Sequence, residues 1–235
     1  MRKLVLLLMV LCVMCAPAWA THIIDTFDGG TANQTATNSA PTPTADTSLT
    51  SSAIGGERVT SLEWLSGGSP STAQTYISSP GAGVYELQYD NGSGVDSILT
   101  LDYGLTTELG ENFSDDPNFI IDVKGLDLSG VDMTISLWTG DNLGDADGQV
   151  MLSTGSATAP PAFSLSFPMT DFGLTSIQLE EIDRIQLTIS PTTDSTDLRI
   201  DTIRTGTGLI PEPATLSLFG IGGLAALIRR RRNRA

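Results

Sequence analysis

The sequence predicts an all-β fold, an antiparallel β-sandwich, and three observations predict it. Apolar and polar residues alternate at period two in about ten short runs, the spacing that lines one face of a strand. Between the runs stand Gly, Asp, Asn, Ser and Thr, the residues of tight turns. No helical period persists between Thr21 and Leu209, and Lys124 is the only lysine there.

Taken in order, the alternation assigns the elements. Residues 22–27 read as a first short strand. Over 29–56 the composition falls to Thr, Ser, Asn, Ala and Pro, with Leu49 and Ile54 the larger aliphatics, and this predicts a long low-complexity loop. Residues 58–65 return to strand character with Val59, Leu62 and Trp64. Residues 84–89 set Tyr85, Leu87 and Tyr89 on one face. The turn Asp90-Asn91-Gly92-Ser93-Gly94 and the run 95–103 follow, so a hairpin is expected. Phe119, Ile121 and Val123 alternate with Ile120, Asp122 and Lys124. Val131, Met133, Ile135 and Leu137 form the cleanest strand, with Asp132, Thr134, Ser136 and Trp138 on its other face. Residues 149–153 and 162–167 continue the series, the latter with Phe163, Leu165 and Phe167 inward. A single helical turn fits within 173–183. Ile185, Leu187 and Ile189, then Leu198, Ile200 and Thr202, mark the last two strands.

The two ends of the chain break this pattern. Residues 1–20 have the three parts of a secretory signal: Arg2 and Lys3, an apolar core over 4–15, and Ala18-Trp19-Ala20. The small residues Ala18 and Ala20 mark the cleavage point for signal peptidase, so the mature chain begins at Thr21. Cys12 and Cys15, the only cysteines, leave with the signal, and the exported domain has no disulfide. Residues 210–235 read I-P-E-P-A-T, then an apolar run, then R-R-R-R-N-R-A. The fifteen residues 214–228 carry no charge. As a helix they reach about 22 Å, short of the roughly 30 Å hydrocarbon core. Arg229, Arg230, Arg231, Arg232 and Arg234 can snorkel to the cytoplasmic interface and extend that reach. A retained tail anchor and a processed sorting signal share these features. Pro211 and Pro213 favour the second, because they hold Glu212 in an extended, accessible stretch.

Pro-Glu-Pro, a short apolar helix and a terminal arginine cluster, in that order, resemble the PEP-CTERM sorting signal of Gram-negative bacteria. The resemblance implies an exosortase-like processing enzyme acting at Pro211, Glu212 and Pro213. It also implies transient residence in the inner membrane, then delivery to the cell surface or extracellular matrix. The strand pattern of 21–209 in turn resembles the jelly-roll, carbohydrate-binding-module-like domains of exported bacterial proteins. The chain so divides into a signal at 1–20, a β-sandwich at 21–209, and a sorting signal at 210–235 with its apolar helix at 214–228 and basic tail at 229–235.

Charge and residue inventory then exclude function classes. Of 12 basic residues five fall between Thr21 and Leu209, namely Arg58, Lys124, Arg184, Arg199 and Arg204, whereas 26 of the 27 acidic residues do. Nucleic acid is the wrong partner for such a domain. Surplus carboxylates favour solubility and divalent cations. With His22 the sole histidine and no cysteine in the mature chain, Ser-His-Asp, Cys-His and histidine-zinc chemistry are excluded. A carboxylate pair, as in glycoside hydrolysis, needs only acids, yet nothing singles out two of them. The domain is expected not to be an enzyme.

Two constellations remain. Residues 141–148 resemble a calcium loop, but aligning Gly148 with the loop glycine puts Leu143 at position one and Thr154 at position twelve, where carboxylates belong. That loop is expected to be a polar hairpin. Asp25 and Asp201 each stand in Ile-Asp-Thr, on strands expected to be first and last and adjacent. The favoured reading is that each aspartate ends its strand or caps a turn; the alternative is a shared calcium ion, which would offset their repulsion and staple the chain ends, and no other cofactor is indicated. Among the aromatics Trp64, Tyr76, Tyr103 and Trp138, Trp138 falls on the polar face of its strand and is the candidate sugar contact. The expected role is structural or adhesive, in a surface or matrix component. A carbohydrate-binding module, with polysaccharide as partner, is the alternative; a carboxylate-based hydrolase ranks third.

Overall fold

Among the described residues, period-two alternation folds into thirteen strands in two antiparallel sheets. The computed structural model describes residues 21–207 except 69, 82, 128–129, 141–144 and 154–161. The predicted signal with Ala18 and Ala20 lies outside the described residues. So do Pro211, Glu212, Pro213, Arg229 to Arg232, Arg234 and half of the 141–148 loop.

In chain order the strands are β1 (Ile23–Asp25), β2 (Gln34–Ala36), β3 (Asp46–Leu49), β4 (Glu57–Ser66), β5 (Ala73–Gly81), β6 (Val84–Asn91) and β7 (Asp96–Tyr103). There follow β8 (Asn118–Leu126), β9 (Val131–Thr139), β10 (Gly148–Ser153), β11 (Phe163–Pro168), β12 (Ile182–Pro191) and β13 (Leu198–Gly206). One sheet runs β11-β8-β13-β6-β5-β2 with β1 also on β13, and the other runs β10-β9-β12-β7-β4-β3. From β6 onward the layers are 11-8-13-6 and 10-9-12-7. That is the jelly-roll arrangement of eight strands the sequence pattern suggests.

The inward sets meet as the alternation requires. Leu87 and Tyr89 face Leu99 and Leu101, and Ile185, Leu187 and Ile189 join Met133, Ile135 and Leu137, all essentially inaccessible. The core and the strands fall within one compact unit, Ala20–Gly206. The expected helical turn is α1 (Ser176–Leu179). Its capping box joins Thr175 and Gln178 through Gln178 N donating to Thr175 Oγ1 at 3.3 Å and Thr175 N to Gln178 Oε1 at 3.0 Å.

Three expectations are corrected. β6 and β7 are not a hairpin: β6 pairs with β5 and β13, β7 with β4 and β12. The turn between them crosses from layer to layer. It is tied sideways by Asn91, whose Nδ2 donates to Thr196 O at 3.3 Å and whose Oδ1 accepts from Ser97 Oγ at 2.6 Å. The Tyr89 hydroxyl, donating to Ser97 O at 2.8 Å, spans the sandwich. Secondly, the 29–56 segment is ordered and contributes β2 and β3. Ala32, Ala36 and Ala53 are small enough to bury, and side chains replace the missing ladder: Thr31 N donates to Ser48 Oγ at 2.8 Å and Asn33 N to Asp46 Oδ2 at 3.0 Å. Thirdly, β5 forms where no strand was assigned, half of its residues polar and exposed as the outer partner of β6.

Candidate functional site

The two Ile-Asp-Thr aspartates come first, because the topology brings their strands together. β1 pairs antiparallel with β13, Asp25 lying opposite Ile203. Asp25 is fully buried between the sheets and accepts from Arg58 Nη1 at 2.5 Å, Phe27 N at 2.8 Å and Tyr103 Oη at 3.1 Å. Burial pushes its carboxyl above the ordinary value, against the opposing pull of Arg58. Asp201 pairs instead with Lys124 at 3.2 Å. The expected proximity of the two strands is observed, and each carboxylate has a basic partner of its own. Among the described residues no group of three acids, histidines or cysteines is placed to hold a metal.

Trp138 stands on the outer face of the six-stranded sheet, as the alternation predicts, but is not open to solvent. It is 6% exposed, with the Arg184 guanidinium 4.2 Å above the ring centroid. Register sets Arg184 opposite Trp138 and Gln186 opposite both Ser136 and Asp102. Arg184 grips Asp102 in a bidentate pair at 2.7 and 3.1 Å, and Gln186 Nε2 donates to the same carboxylate at 2.7 Å. Beside this array Thr134, Thr188, Thr100 and Ser61 form a row of half-buried hydroxyls across four strands. The face is polar and preorganised, and its carboxylate is taken up by the sheet's own donors. Trp64 and Tyr103 are core residues, and Tyr76 lies half-buried on the outer face of the other sheet.

An open cleft lies at the other layer, where β13 begins. It holds about 350 Å³ and is lined by Asp90, Gly125, Leu126, Asp127, Asp197 and Arg199. That volume falls in the roughly 300–1,000 Å³ range of small-ligand sites. Asp197 accepts from Asn91 N at 2.9 Å, and its own N–H donates to Asp127 Oδ1 at 2.7 Å. Burial, then the charges of Asp127 and Asp90, push the Asp197 carboxyl above the usual range, and the Asn91 N–H partly opposes this. Tyr76 donates to Asp90 at 2.8 Å, and this bond with burial raises its hydroxyl to about 12. Arg199, half-exposed, sits 3.6 Å from Glu86. It lies where a side chain on Gly125 would be, since a Cβ there would stand 2.7 Å from its Nη2. Acceptors, one half-exposed donor fork and an apolar wall at Leu126 therefore converge on one space. Sequence reasoning missed this site: Asp90 reads as the start of a turn, and Arg199 only as one of the five basic residues of the domain.

The comparisons bear on the two parts of the chain separately. Residues 209–232 match the PEP-CTERM protein-sorting motif. The chain carries that sorting motif, and the motif implies an exported protein sorted by way of the membrane. A search of curated proteins gives no match. Among solved structures, the family 11 carbohydrate-binding module from Clostridium thermocellum, in complex with a β-1,3-1,4-mixed-linked tetrasaccharide, is 14% identical with a TM-score of 0.40, covering 82% of this chain and 98% of that one. The family 11 module of the cellulosomal cellulase Lic26A-Cel5E of the same organism is 13% identical with a TM-score of 0.40, covering 83% and 99%. The enzymatically active domain of bacteriophage CBA120 tailspike protein 4 is 9% identical with a TM-score of 0.39, covering 63% of this chain and 19% of that one. Each is a protein this chain resembles in the course of its backbone, and its ligand is its own.

Proposed function

We propose that the protein is an adhesive component of the cell surface or extracellular matrix of a Gram-negative bacterium, holding polysaccharide in the cleft at the start of β13. The observation that carries this is the convergence of Asp90, Asp127, Asp197 and Arg199 on one open volume of about 350 Å³. Sugars are recognised by planar polar groups that accept and donate in pairs, and carboxylates with a guanidinium supply both. Cleavage of the sugar is not proposed: the carboxylates of Asp90 and Asp197 are engaged by Tyr76 and by the Asn91 backbone.

Charge selects within the sugars. The cleft sets three carboxylates against one guanidinium in a domain rich in acid. Neutral and amine-bearing glycans suit it, and polyuronates are repelled. A glycan array probed with residues 21–209 tests this; retention of polyuronates in preference to neutral glycans would overturn it. The sorting half of the account is tested apart. Replacing Pro211, Glu212 and Pro213 by alanine is expected to leave a longer, unprocessed species in the membrane, as intact mass would show. An unchanged mature mass would remove the motif from processing.

A further inference from the structure

Asp116 is a buried carboxylate with half of its bonding accounted for. Its side chain is 1% exposed. Oδ2 accepts from His22 Nδ1 at 2.7 Å and from Thr205 Oγ1 at 2.5 Å, while Oδ1 has no hydrogen-bond partner. An oxygen left so costs free energy until a donor reaches it. The arginines and the lysine of the domain are committed elsewhere. Arg58 pairs with Asp25, Lys124 with Asp201, Arg184 with Asp102, Arg199 with Glu86 and Arg204 with Asp122.

Around Asp116 the residue before β1 is zipped to β13. Thr205 N donates to His22 O at 2.8 Å, His22 N donates to Thr205 Oγ1 at 3.3 Å, and the His22 ring rests 5.3 Å from Phe113. Thr21, one residue earlier, is exposed, and its nitrogen is less than about 4 Å of chain from His22. Removal of residues 1–20 turns that nitrogen from a neutral amide into an ammonium.

We propose that the Thr21 α-ammonium, created by signal cleavage, pairs with Asp116 and completes a latch that the uncleaved chain cannot form. The inference rests on the reading of residues 1–20 as a removed signal. It makes processing the event that finishes the fold: the new charge locks β1, through His22, onto the end of β13.

The test is a melting cycle on residues 21–206, which hold the described core and ion pairs. Four chains are compared, starting at Thr21 or carrying Gly-Ser-Gly ahead of it, each with Asp116 or with Asp116→Asn. The extension is expected to lower the melting temperature by about 5 °C when Asp116 is present and by less than about 1 °C in Asp116→Asn. An equal fall in both backgrounds, or none with Asp116, overturns the latch. Should Asp116→Asn fail to fold, a crystal structure of the chain starting at Thr21 decides. Thr21 N within about 3.2 Å of Asp116 Oδ1 supports the pair, and a nitrogen turned to solvent overturns it. Amino-terminal sequencing of the exported protein judges the signal separately: a start other than Thr21 overturns the processing step, whatever the melting cycle says of the ion pair.

Discussion

Arg58 Nη1 lies 2.5 Å from Asp25 Oδ2, and neither side chain has any exposure to solvent. The same guanidinium donates through Nη2 to Gly29 O at 3.2 Å and Thr31 O at 3.0 Å, and lies 5.2 Å from the Phe27 ring centroid. One side chain of β4 thus organises β1 and the segment that leads to β2. Substituting Arg58→Met strands a buried carboxylate and two carbonyls. Chemical denaturation is expected to show a loss of about 3–5 kcal/mol. A loss below about 1 kcal/mol would mean that Asp25 finds another partner or protonates without penalty.

The same pair bears on whether calcium joins the chain ends. Asp25 is neutralised by Arg58, and Asp201 is served by Lys124. Thermal melting of residues 21–209 should therefore give the same midpoint in calcium and in chelator. A calcium-dependent rise that vanishes in Asp201→Ala would reinstate the metal staple.

Trp138 divides stability from binding. Its ring is buried under Arg184, so Trp138→Ala is expected to cost about 3–5 kcal/mol, read by denaturant unfolding. The change also loosens the Arg184–Asp102 pair. A cost under about 1 kcal/mol, with glycan binding abolished, would return Trp138 to the role of an exposed sugar platform.

Asp197 is predicted to trade stability for function. Its carboxyl is raised above the ordinary value, so the charged form is disfavoured in the folded state. A raised group adds stability below its unfolded value and loses that advantage as pH climbs through its folded value. At pH 7 Asp197→Asn should thus melt higher than the wild type, because Asn keeps an acceptor for Asn91 N without the charge. Below about pH 4 the difference should close. A variant less stable at pH 7 would show that the Asp197 charge is stabilising.

Much of the architecture was legible because burial imposes a period. Val131 to Leu137 and Ile185 to Ile189 alternate cleanly, and each set proved inward. Where polar bonds rather than apolar burial hold the chain, the pattern was silent. Residues 29–56 are held by Arg58, Ser48 and Asp46, each distant in sequence from what it binds. The hairpin expected at Asn91-Gly92 failed for a related reason. Turn chemistry signals a reversal but not whether the next strand joins the same sheet, and the side-on bonds of Asn91 decided that. The adjacency of Asp25 and Asp201 strands followed from the fold, whereas their partners did not, since Arg58 and Lys124 come from other strands. The cleft was invisible because it collects residues from three separate segments around a glycine.

The central claim is that the cleft at the start of β13 holds sugar. The measurement that tests it most directly is calorimetric titration of residues 21–209 with the neutral or amine-bearing glycan an array selects. The account predicts binding that Arg199→Ala and Asp197→Asn each weaken at least tenfold, about 1.4 kcal/mol, while Thr188→Ala on the opposite sheet leaves it unchanged. Affinity that survives both cleft variants and falls with Thr188→Ala would contradict it and move the site to the outer face of the six-stranded sheet.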